Sequence, residues 1–422
     1  MSANSIQPLR GEVRVPGDKS VGHRSLMLGA LADGLVEVSG LGTGEDNRAT
    51  QAILQALGVR IERDGTDARV WGVGLDGLRP PSGPLDCGNS GTTMRLMLGI
   101  LAGQPFEVTM IGDESLSRRP MRRVLDPLTQ MGLEVIEARD GTFAPLRVRG
   151  RRPLRGIVYD SPIASAQIKS AVMLAGLFAE GETVVREPEL SRDHTERMLA
   201  WLGRPPQARP IRVPGDLSSA AFMMGAAMLV PGSEVTVAGV GVNPTRTGFL
   251  DVLEAMGAQV ERRAPREDNG EPSCDLVVRH GALRGTTVGG ELSVRAIDEL
   301  PLVATLAAIA EGPTRIRDAK ELRVKESDRI ARTASMLQSF GVPVDEHEDG
   351  MTIWGDPARA LRPGHVNAHG DHRIAMCGTL ISLLAPEGTR IEGGESIASS
   401  FPSFHSSLEA IGARLPARGD LE

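Results

Sequence analysis

The 422-residue sequence predicts an α/β protein with two similar domains, each made of three related units. One observation behind this is a repeated heptapeptide: RVPGDKS at Arg14–Ser20 returns as RVPGDLS at Arg212–Ser218, 198 residues later. Another is a pair of helix-like segments, AILQALGVRIE and DVLEAMGAQVE, whose glycines Gly58 and Gly257 lie 199 residues apart. Two matches at nearly one offset indicate a duplicated chain.

Six amphipathic segments each end in an apolar residue followed by glycine. The glycines are Gly58, Gly132, Gly203, Gly257, Gly341 and Gly412. Glycine adopts the left-handed conformation of a C-terminal helix cap without steric cost, so we expect a helix to end at each position. Most of these glycines precede a short stretch such as VRIE or LEVIE, which predicts a strand.

Six other stretches are apolar nearly all round and rich in Ala and Gly: SLMLGALADG, MRLMLGILAG, AVMLAGLFAEG, FMMGAAMLVPG, LVATLAAIAEG and MCGTLISLLAPEG. They predict buried helices, and the alternating segment after each one predicts a strand. Three fall in each half, so we expect one domain over residues 14–213 and a second over 214–422 together with a strand from residues 1–13. The alternative is an ordinary doubly wound α/β protein with Gly-rich turns.

Composition and charge narrow the possible functions. An apolar content of 41% suffices for sizeable cores, and a formal charge of −7 argues against a general nucleic-acid or membrane-surface binder. Apolar runs such as AVMLAGLFA are far shorter than the ~18 residues of a membrane span. Three cysteines without metal-ligand spacing fit a reducing compartment. We therefore expect a cytoplasmic protein without a metal. Independently of these observations, we expect a monomer.

Polar or charged residues stand at the start of each buried helix. They are Lys19, Ser20 and Arg24; Asn89, Ser90, Gly91, Thr92 and Arg95; Ser165, Gln167 and Lys169; Asp216 and Ser218; Asp298 and Glu299; and Asp371, His372 and Arg373. N-capping is the ordinary role of Ser, Thr, Asn and Asp there. It does not explain the cations, which oppose the helix dipole unless an anion is bound.

Further cations lie on SLSRRPMRR, SRDHTER and RVKESDR. In an acidic protein, such local clusters favour a substrate that carries more than one negative charge. For Arg122 and Arg123 we expect a solvated helix face instead. The sequence contains no P-loop, no GxGxxG after a strand and no GxSxG elbow, so nucleotide binding and serine-nucleophile chemistry have no support.

The segments PGDKSVGHRSLMLGALADG, GNSGTTMR, SRRPM, SAQIKSA, RVKESDRI and GDHRIAM, in this order between residues 14 and 405, resemble the 5-enolpyruvylshikimate-3-phosphate synthase family. The resemblance implies two halves of three βαβαββ units each, with the active site in the interdomain cleft. It also implies transfer of the enolpyruvyl group of phosphoenolpyruvate to the 5-hydroxyl of shikimate 3-phosphate, with release of phosphate and without a cofactor.

The resemblance further implies which residues bind each substrate. Shikimate 3-phosphate would contact Lys19, Ser20, Arg24, Ser165, Ala166, Gln167, Arg192, Asp298 and Lys325. Phosphoenolpyruvate would contact Lys19, Gly91, Arg119, Gln167, Arg329 and Arg373. The second set contains three arginines and a lysine, which suits a ligand with a phosphate and a carboxylate.

The expected chemistry needs a base for the attacking hydroxyl and an acid for C3 of the enol. The resemblance assigns the base role to Asp298 and the acid role to Glu326, with Lys19 assisting. The alternative for Glu326 is an ion pair with Arg329, three residues further along a helix.

Three positions depart from the family pattern. Ala166 stands where many members have serine, and Ser399 stands where some carry a lysine, so one cation for phosphoenolpyruvate is absent or supplied from elsewhere. KELRVK lacks the asparagine frequent ahead of this motif. These departures point to a divergent branch in which the response to glyphosate varies. Because Gly91 leaves room that a methyl group would fill, we expect glyphosate to inhibit.

Two alternatives remain open. A sister enolpyruvyl transferase acts on UDP-N-acetylglucosamine and typically uses a mobile-loop cysteine as its acid, whereas Cys87 directly precedes GNSGTT and is expected to be a buried core residue. A non-catalytic sensor of phosphorylated sugars would not need both Asp298 and Glu326.

Overall fold

The computed structural model describes residues 7–415, and the chain divides into two compact units. The N-terminal unit comprises Gly17–Pro214 and Glu267–Glu271. The C-terminal unit comprises residues 7–16, Gly215–Arg266 and 272–415. The domain expectations also cover residues 1–6 and 416–422, which lie outside the described residues.

Elements are numbered along the chain. In the N-terminal unit the helices are α1 (Lys19–Leu31), α2 (Glu45–Ala56), α3 (Gly91–Ala102), α4 (Arg122–Met131), α5 (Ala166–Gly176) and α6 (His194–Leu202), with a 3-10 helix at Leu116–Arg118. Its strands are β2 (Asp33–Ser39), β3 (Arg60–Asp64), β4 (Asp67–Val73), β5 (Leu85–Asp86), β6 (Glu107–Ile111), β7 (Glu134–Arg139), β8 (Phe143–Arg149), β9 (Leu154–Arg155), β10 (Val158–Asp160), β11 (Ala179–Glu180), β12 (Val184–Arg186) and β13 (Ile211–Arg212).

In the C-terminal unit the helices are α7 (Leu217–Leu229), α8 (Gly248–Ala255), α9 (Glu291–Arg295), α10 (Leu300–Ala307), α11 (Arg329–Ser339), α12 (His372–Ser382) and α13 (Phe404–Ala410), with 3-10 helices at Lys320–Val324 and Gly394–Ser399. The strands that complete it are β1 (Arg10–Arg14), β14 (Glu234–Gly241), β15 (Val260–Asp268), β16 (Glu271–Arg279), β17 (Thr287–Val288), β18 (Gly312–Ile316), β19 (Val344–His347), β20 (Gly350–Gly355), β21 (His365–Asn367) and β22 (Arg390–Glu392). The tip of the β15–β16 hairpin, Glu267–Glu271, belongs to the N-terminal unit.

Each unit contains two four-stranded sheets of the same order. These are β13-β2-β4-β3 and β5-β6-β8-β7 in the N-terminal unit, and β1-β14-β16-β15 and β17-β18-β20-β19 in the C-terminal unit. In every one of them the first two strands are parallel and the second and third are antiparallel. The predicted α/β fold of similar, internally repeated halves is confirmed.

In each compact unit, the third of the three βαβαββ repeats has fewer paired strands than expected. Among the described residues it contributes only parallel two-stranded ladders: β9 with β11 and β10 with β12 in one unit, and β21 with β22 in the other. In the N-terminal unit the chain after α6 adds β13 to the first sheet, where it pairs with β2. A strand used to extend another copy's sheet cannot close a sheet of its own.

The two predicted sets of helices are confirmed. The six cap glycines all have positive φ, from 83° at Gly257 to 121° at Gly132. The six apolar segments form α1, α3, α5, α7, α10 and α12, and every residue of α7, α10 and α12 is buried. Each unit has its own apolar core around these helices.

Small residues let α3 and α5 pack closely against each other. A β-carbon on Gly99 in α3 would lie 2.2 Å from the backbone oxygen of Ala171 in α5, so only glycine fits there. Between residues 7 and 415, no helix combines the length and the apolar character that crossing a membrane requires.

Candidate active site

The polar residues at helix starts divide into caps and other side chains. Asp18 caps α1 by accepting from the N–H of Val21 at 2.9 Å, and Ser90 caps α3 by accepting from the N–H of Thr93 at 3.2 Å. Ser165 makes no cap bond through its side chain, and its N–H donates to Glu187 at 2.9 Å. Because Asp18 and Ser90 make the caps, capping does not explain the residues that follow them, Lys19 and Gly91.

Lys19 is a partly exposed cation at the start of α1. Its Nζ lies 2.8 Å from Oδ2 of Asp46 on α2, and its side chain is 26% exposed. The ion pair fixes the position of the ammonium, and the side chain as a whole is not fully buried. No local feature of the sequence indicates Asp46 as the partner of Lys19.

Arg24, in contrast, lies inside the N-terminal unit. Its Nε donates to Thr195 and its Nη2 to Ser170, both at 2.6 Å, and its Nη1 donates to the backbone oxygen of Ser20 at 2.9 Å. Burial lowers the pKa of Arg24 to about 10, although nearby carboxylates, first that of Glu196, oppose the shift. Arg24 therefore stays cationic at neutral pH.

A second cluster surrounds the first residue of α3. Arg95 Nη1 donates to Oε1 of Gln167 at 2.7 Å, and Gln167 Nε2 donates to Thr92 at 3.0 Å. Arg119 Nη2 donates to Oδ1 of Asn89 at 2.7 Å. A β-carbon on Gly91 would lie 2.8 Å from Nη1 of Arg95 and 3.5 Å from Nη1 of Arg119. The structure thus brings Gly91, Arg119 and Gln167 together as predicted.

Some cations singled out in the sequence serve other purposes. Lys169 is buried and pairs with Glu187 and Glu196, both at 2.8 Å, which makes it an interior ionic link. Arg122 and Arg123 are exposed, as expected of a solvated face. Arg192 is half-buried and close enough to Arg24 to lower the pKa of that guanidinium.

Arg329 is the centre of the cluster in the C-terminal unit. Its guanidinium is 1% exposed and lies 2.8 Å from Oδ2 of Asp371, 2.6 Å from Oε2 of Glu326 and 3.4 Å from Oδ1 of Asp298. Burial alone would lower the pKa of Arg329, but these carboxylates raise it above the usual arginine value. Burial would likewise raise the pKa of Asp371, and Arg329 brings it below the usual aspartate value.

Asp298 lies between the cations of this cluster. Lys325 Nζ is 3.7 Å from its Oδ1, and Arg373 Nη1 donates to its backbone oxygen at 2.7 Å. Asp371 caps α12 by accepting from the N–H of Arg373 at 3.0 Å. The predicted residues Asp298, Lys325, Glu326, Arg329 and Arg373 therefore form one cluster.

The alternative considered for Glu326 is partly right. The ion pair with Arg329 forms, but the expectation that both residues lie on a helix is wrong, because α11 begins at Arg329 and Asp328 caps it. Glu326 thus belongs to the preceding bend, and its carboxylate reaches back to the first residue of the helix.

At Ser399, where some members of the resembled family carry a lysine, the side-chain Oγ lies 3.2 Å from Nδ1 of His372.

Cys87 is fully buried, and burial raises the pKa of its thiol well above the usual range. The expectation of Cys87 as a core residue is confirmed, and such a thiol is unsuited to acid catalysis at the surface of a site.

This chain is similar over nearly its whole length to proteins of known activity. Residues 3–408 match the family described as EPSP synthase (3-phosphoshikimate 1-carboxyvinyltransferase). The 3-phosphoshikimate 1-carboxyvinyltransferase of Geobacter sulfurreducens is 49% identical, over 98% of this chain and 99% of the relative. That of Geobacter metallireducens is 50% identical, over 98% and 100%.

Solved structures show the same likeness. An EPSP synthase from Acinetobacter baumannii superposes with a TM-score of 0.86 at 41% identity, over 97% of both chains. The enolpyruvyl transferase NikO from Streptomyces tendae superposes with a TM-score of 0.78 at 18% identity, over 97% of this chain and 96% of its own, a likeness of fold alone.

Proposed function

Because this chain belongs to the EPSP synthase family, we propose that it transfers the enolpyruvyl group of phosphoenolpyruvate to the 5-hydroxyl of shikimate 3-phosphate. Phosphate leaves, and a tetrahedral intermediate forms between addition and elimination. The observation that carries the proposal is the Arg329 cluster, in which three cations and the carboxylates of Asp298 and Glu326 stand together. Anion binding and proton transfer both need such a set.

The proposed binding residues are those that membership of the family implies. Phosphoenolpyruvate contacts Lys19, Gly91, Arg119, Gln167, Arg329 and Arg373. Shikimate 3-phosphate contacts Lys19, Ser20, Arg24, Ser165, Ala166, Gln167, Arg192, Asp298 and Lys325. Guanidinium groups bind carboxylate and phosphate oxygens in pairs, whereas a lysine acts as a point charge.

The proposed proton transfers use the carboxylates of the C-terminal unit. In the addition, Asp298 takes the proton of the 5-hydroxyl as its oxygen attacks C2, and Glu326 gives a proton to C3, with Lys19 assisting. In the elimination, C3 returns a proton to Glu326 as the C2–O bond to phosphate breaks and phosphate leaves. Cations at 3.4 and 3.7 Å hold the Asp298 carboxylate in a defined position, which a general base requires. The Glu326–Arg329 pair similarly orients the Glu326 carboxyl group.

The direct test mixes the purified chain with shikimate 3-phosphate and phosphoenolpyruvate and measures released phosphate. We expect release only when both substrates are present. UDP-N-acetylglucosamine in place of shikimate 3-phosphate tests the sister activity, which the buried thiol of Cys87 disfavours. Binding of both substrates without phosphate release would favour the sensor instead.

Gly91→Ala provides a test of the phosphoenolpyruvate site. The new methyl group would lie 2.8 Å from Nη1 of Arg95, so the guanidinium must shift away from Gln167. We expect glyphosate to inhibit the unmodified chain in competition with phosphoenolpyruvate, and the variant to show a several-fold higher KM for phosphoenolpyruvate and weaker inhibition. Gly176→Ala, whose added methyl would lie 3.1 Å from Thr183 at the far end of α5, is the control. An unchanged KM would place phosphoenolpyruvate elsewhere.

We also propose that the chain is located in the cytoplasm. Cys87, Cys274 and Cys377 are all free and buried, which supports a reducing compartment such as the cytoplasm. We propose a monomer, which light scattering of the purified chain would test.

A further inference from the structure

A chain of buried polar side chains joins three helices of the N-terminal unit. Nδ1 of His23 on α1 lies 2.7 Å from Oγ1 of Thr50 on α2, and that oxygen lies 2.8 Å from Oγ1 of Thr93 on α3. Thr93 Oγ1 in turn donates to Oγ of Ser90, the cap of α3, at 2.8 Å. None of the four side chains is more than 1% exposed.

Buried threonines have a simpler way to satisfy their hydroxyl groups. Thr379 and Thr305 in the C-terminal unit each donate to the backbone oxygen four residues earlier in their own helix. Thr50 and Thr93 instead bond to side chains on neighbouring helices. Bonds between elements specify how the elements sit against each other, and a buried network of this kind is costly when one member is lost.

The hydrogen bonds of this network all run in one direction, with His23 donating to Thr50, Thr50 to Thr93 and Thr93 to Ser90. Nε2 of His23 is buried and has no hydrogen-bond partner. An unpaired acceptor is better tolerated there than an unpaired N–H, so the ring hydrogen belongs on Nδ1, which donates to Thr50. Burial, with Lys19 and Arg24 nearby, holds the pKa of His23 well below its usual value, which keeps the ring neutral.

The two ends of this hydrogen-bonded network, His23 and Ser90, lie close in sequence to two residues proposed to contact phosphoenolpyruvate, Lys19 and Gly91. His23 is one helical turn after Lys19, whose ammonium pairs with Asp46 on α2. Ser90 directly precedes Gly91, and Thr93 Oγ1 is also 3.3 Å from the backbone oxygen of Asp46. Arg24 is held separately, through Ser170 and Thr195.

We propose that His23, Thr50 and Thr93 are positioning residues that set α1 and α2 against the N-terminus of α3, and thereby set Lys19 against Gly91. The proposal rests on the proposed function, because it assigns both residues to phosphoenolpyruvate. Shikimate 3-phosphate shares Lys19, but most of its proposed contacts, among them Arg24, Ser165 and Lys325, lie outside this hydrogen-bonded network and are held by other partners. Loss of this hydrogen-bonded network therefore weakens the binding of phosphoenolpyruvate more than the binding of shikimate 3-phosphate.

Thr50→Val keeps the shape of the side chain and removes its hydroxyl. We expect the KM for phosphoenolpyruvate to rise about tenfold, since two buried hydrogen bonds are lost, and the KM for shikimate 3-phosphate to change less than twofold. Thr50→Ser restores the hydroxyl and the KM. Thr379→Val, which removes a buried hydroxyl bonded only to its own helix, is the control and leaves both KM values unchanged.

Nitrogen NMR of the 15N-histidine-labelled chain gives a readout that does not depend on turnover. We expect His23, identified by the resonance lost in His23→Asn, to be neutral and protonated on Nδ1 at pH 6. A charged ring or protonation on Nε2 would overturn the proposal. If the wild type is active and Thr50→Val keeps both KM values, the positioning role of the network is wrong but the proposed function stands. If the wild type shows no turnover, the proposed function is wrong as well.

Discussion

Asp298→Ala is expected to reduce phosphate release by about 10²- to 10⁴-fold, the range that a general base contributes. Asp298 is the carboxylate of the Arg329 cluster best placed to take the proton, because Asp371 is fully buried and paired with Arg329, Glu299 near Arg373 is also buried, and Glu326 is proposed as the acid. The backbone oxygen that anchors Arg373 is retained in the variant. Steady-state phosphate release measures the loss.

The same variant should still bind shikimate 3-phosphate detectably in a calorimeter, because the proposed contacts on α1 and α5 remain. Asp251→Ala removes a carboxylate that pairs with Arg295 in the same unit and serves as the control, with turnover unchanged. Normal turnover by Asp298→Ala would show that Asp298 is not the base.

Arg329→Gln is expected to lower the free energy of unfolding by about 3–5 kcal/mol, as removal of one partner from a buried ion pair does. The guanidinium is 1% exposed and Asp371 is fully buried, so solvent does not replace the lost interaction. Arg295→Gln breaks a pair whose arginine side chain is 24% exposed, and it should cost less than about 1 kcal/mol. Urea unfolding of the three proteins gives the comparison. Equal losses would show that the Arg329 cluster contributes no more than an exposed pair.

In Arg329→Gln, the contribution of Asp371 to the free energy of unfolding should depend on pH in the opposite direction from that in the wild type. In the wild type the pKa of Asp371 is lowered, so its stabilisation is present above the unfolded-state pKa of about 4 and is lost as the pH falls through the folded-state value. Without Arg329, burial raises the pKa of Asp371 above the unfolded-state value, and stability is lost as the pH rises. We expect the difference between variant and wild type to shrink from pH 7 to pH 5. A difference that grows towards low pH would contradict this.

Much of the candidate site could be predicted from the helix starts. Lys19, Gly91 and Arg373 are visible in the sequence because cations and glycine at an apolar helix start conflict with the local pattern unless a ligand is bound. Their partners carry no such signal. Asp46 looks like an ordinary acid in the first turn of α2, and nothing local indicates that it reaches the ammonium of Lys19.

The roles of buried charges were the least predictable part. Lys169 stands at a helix start like Lys19, yet it pairs with Glu187 and Glu196 inside the unit. Glu326 and Arg329 have the spacing of a helical pair, but the helix begins only at Arg329. Such outcomes depend on which distant side chain fills the space around a charge, and spacing along the chain does not contain that information.

The sequence alone determined the repeated α/β architecture, the helix ends and the identity of the cations, because periodicity, cap glycines and helix-start charges are local properties of the chain. Tertiary structure decided that the third copies are short, that Asp371 and Glu326 converge on Arg329, and that His23 links three helices. These features are contacts between residues far apart in the chain, and the energy of a buried charge or hydroxyl is set by the partners that folding brings to it.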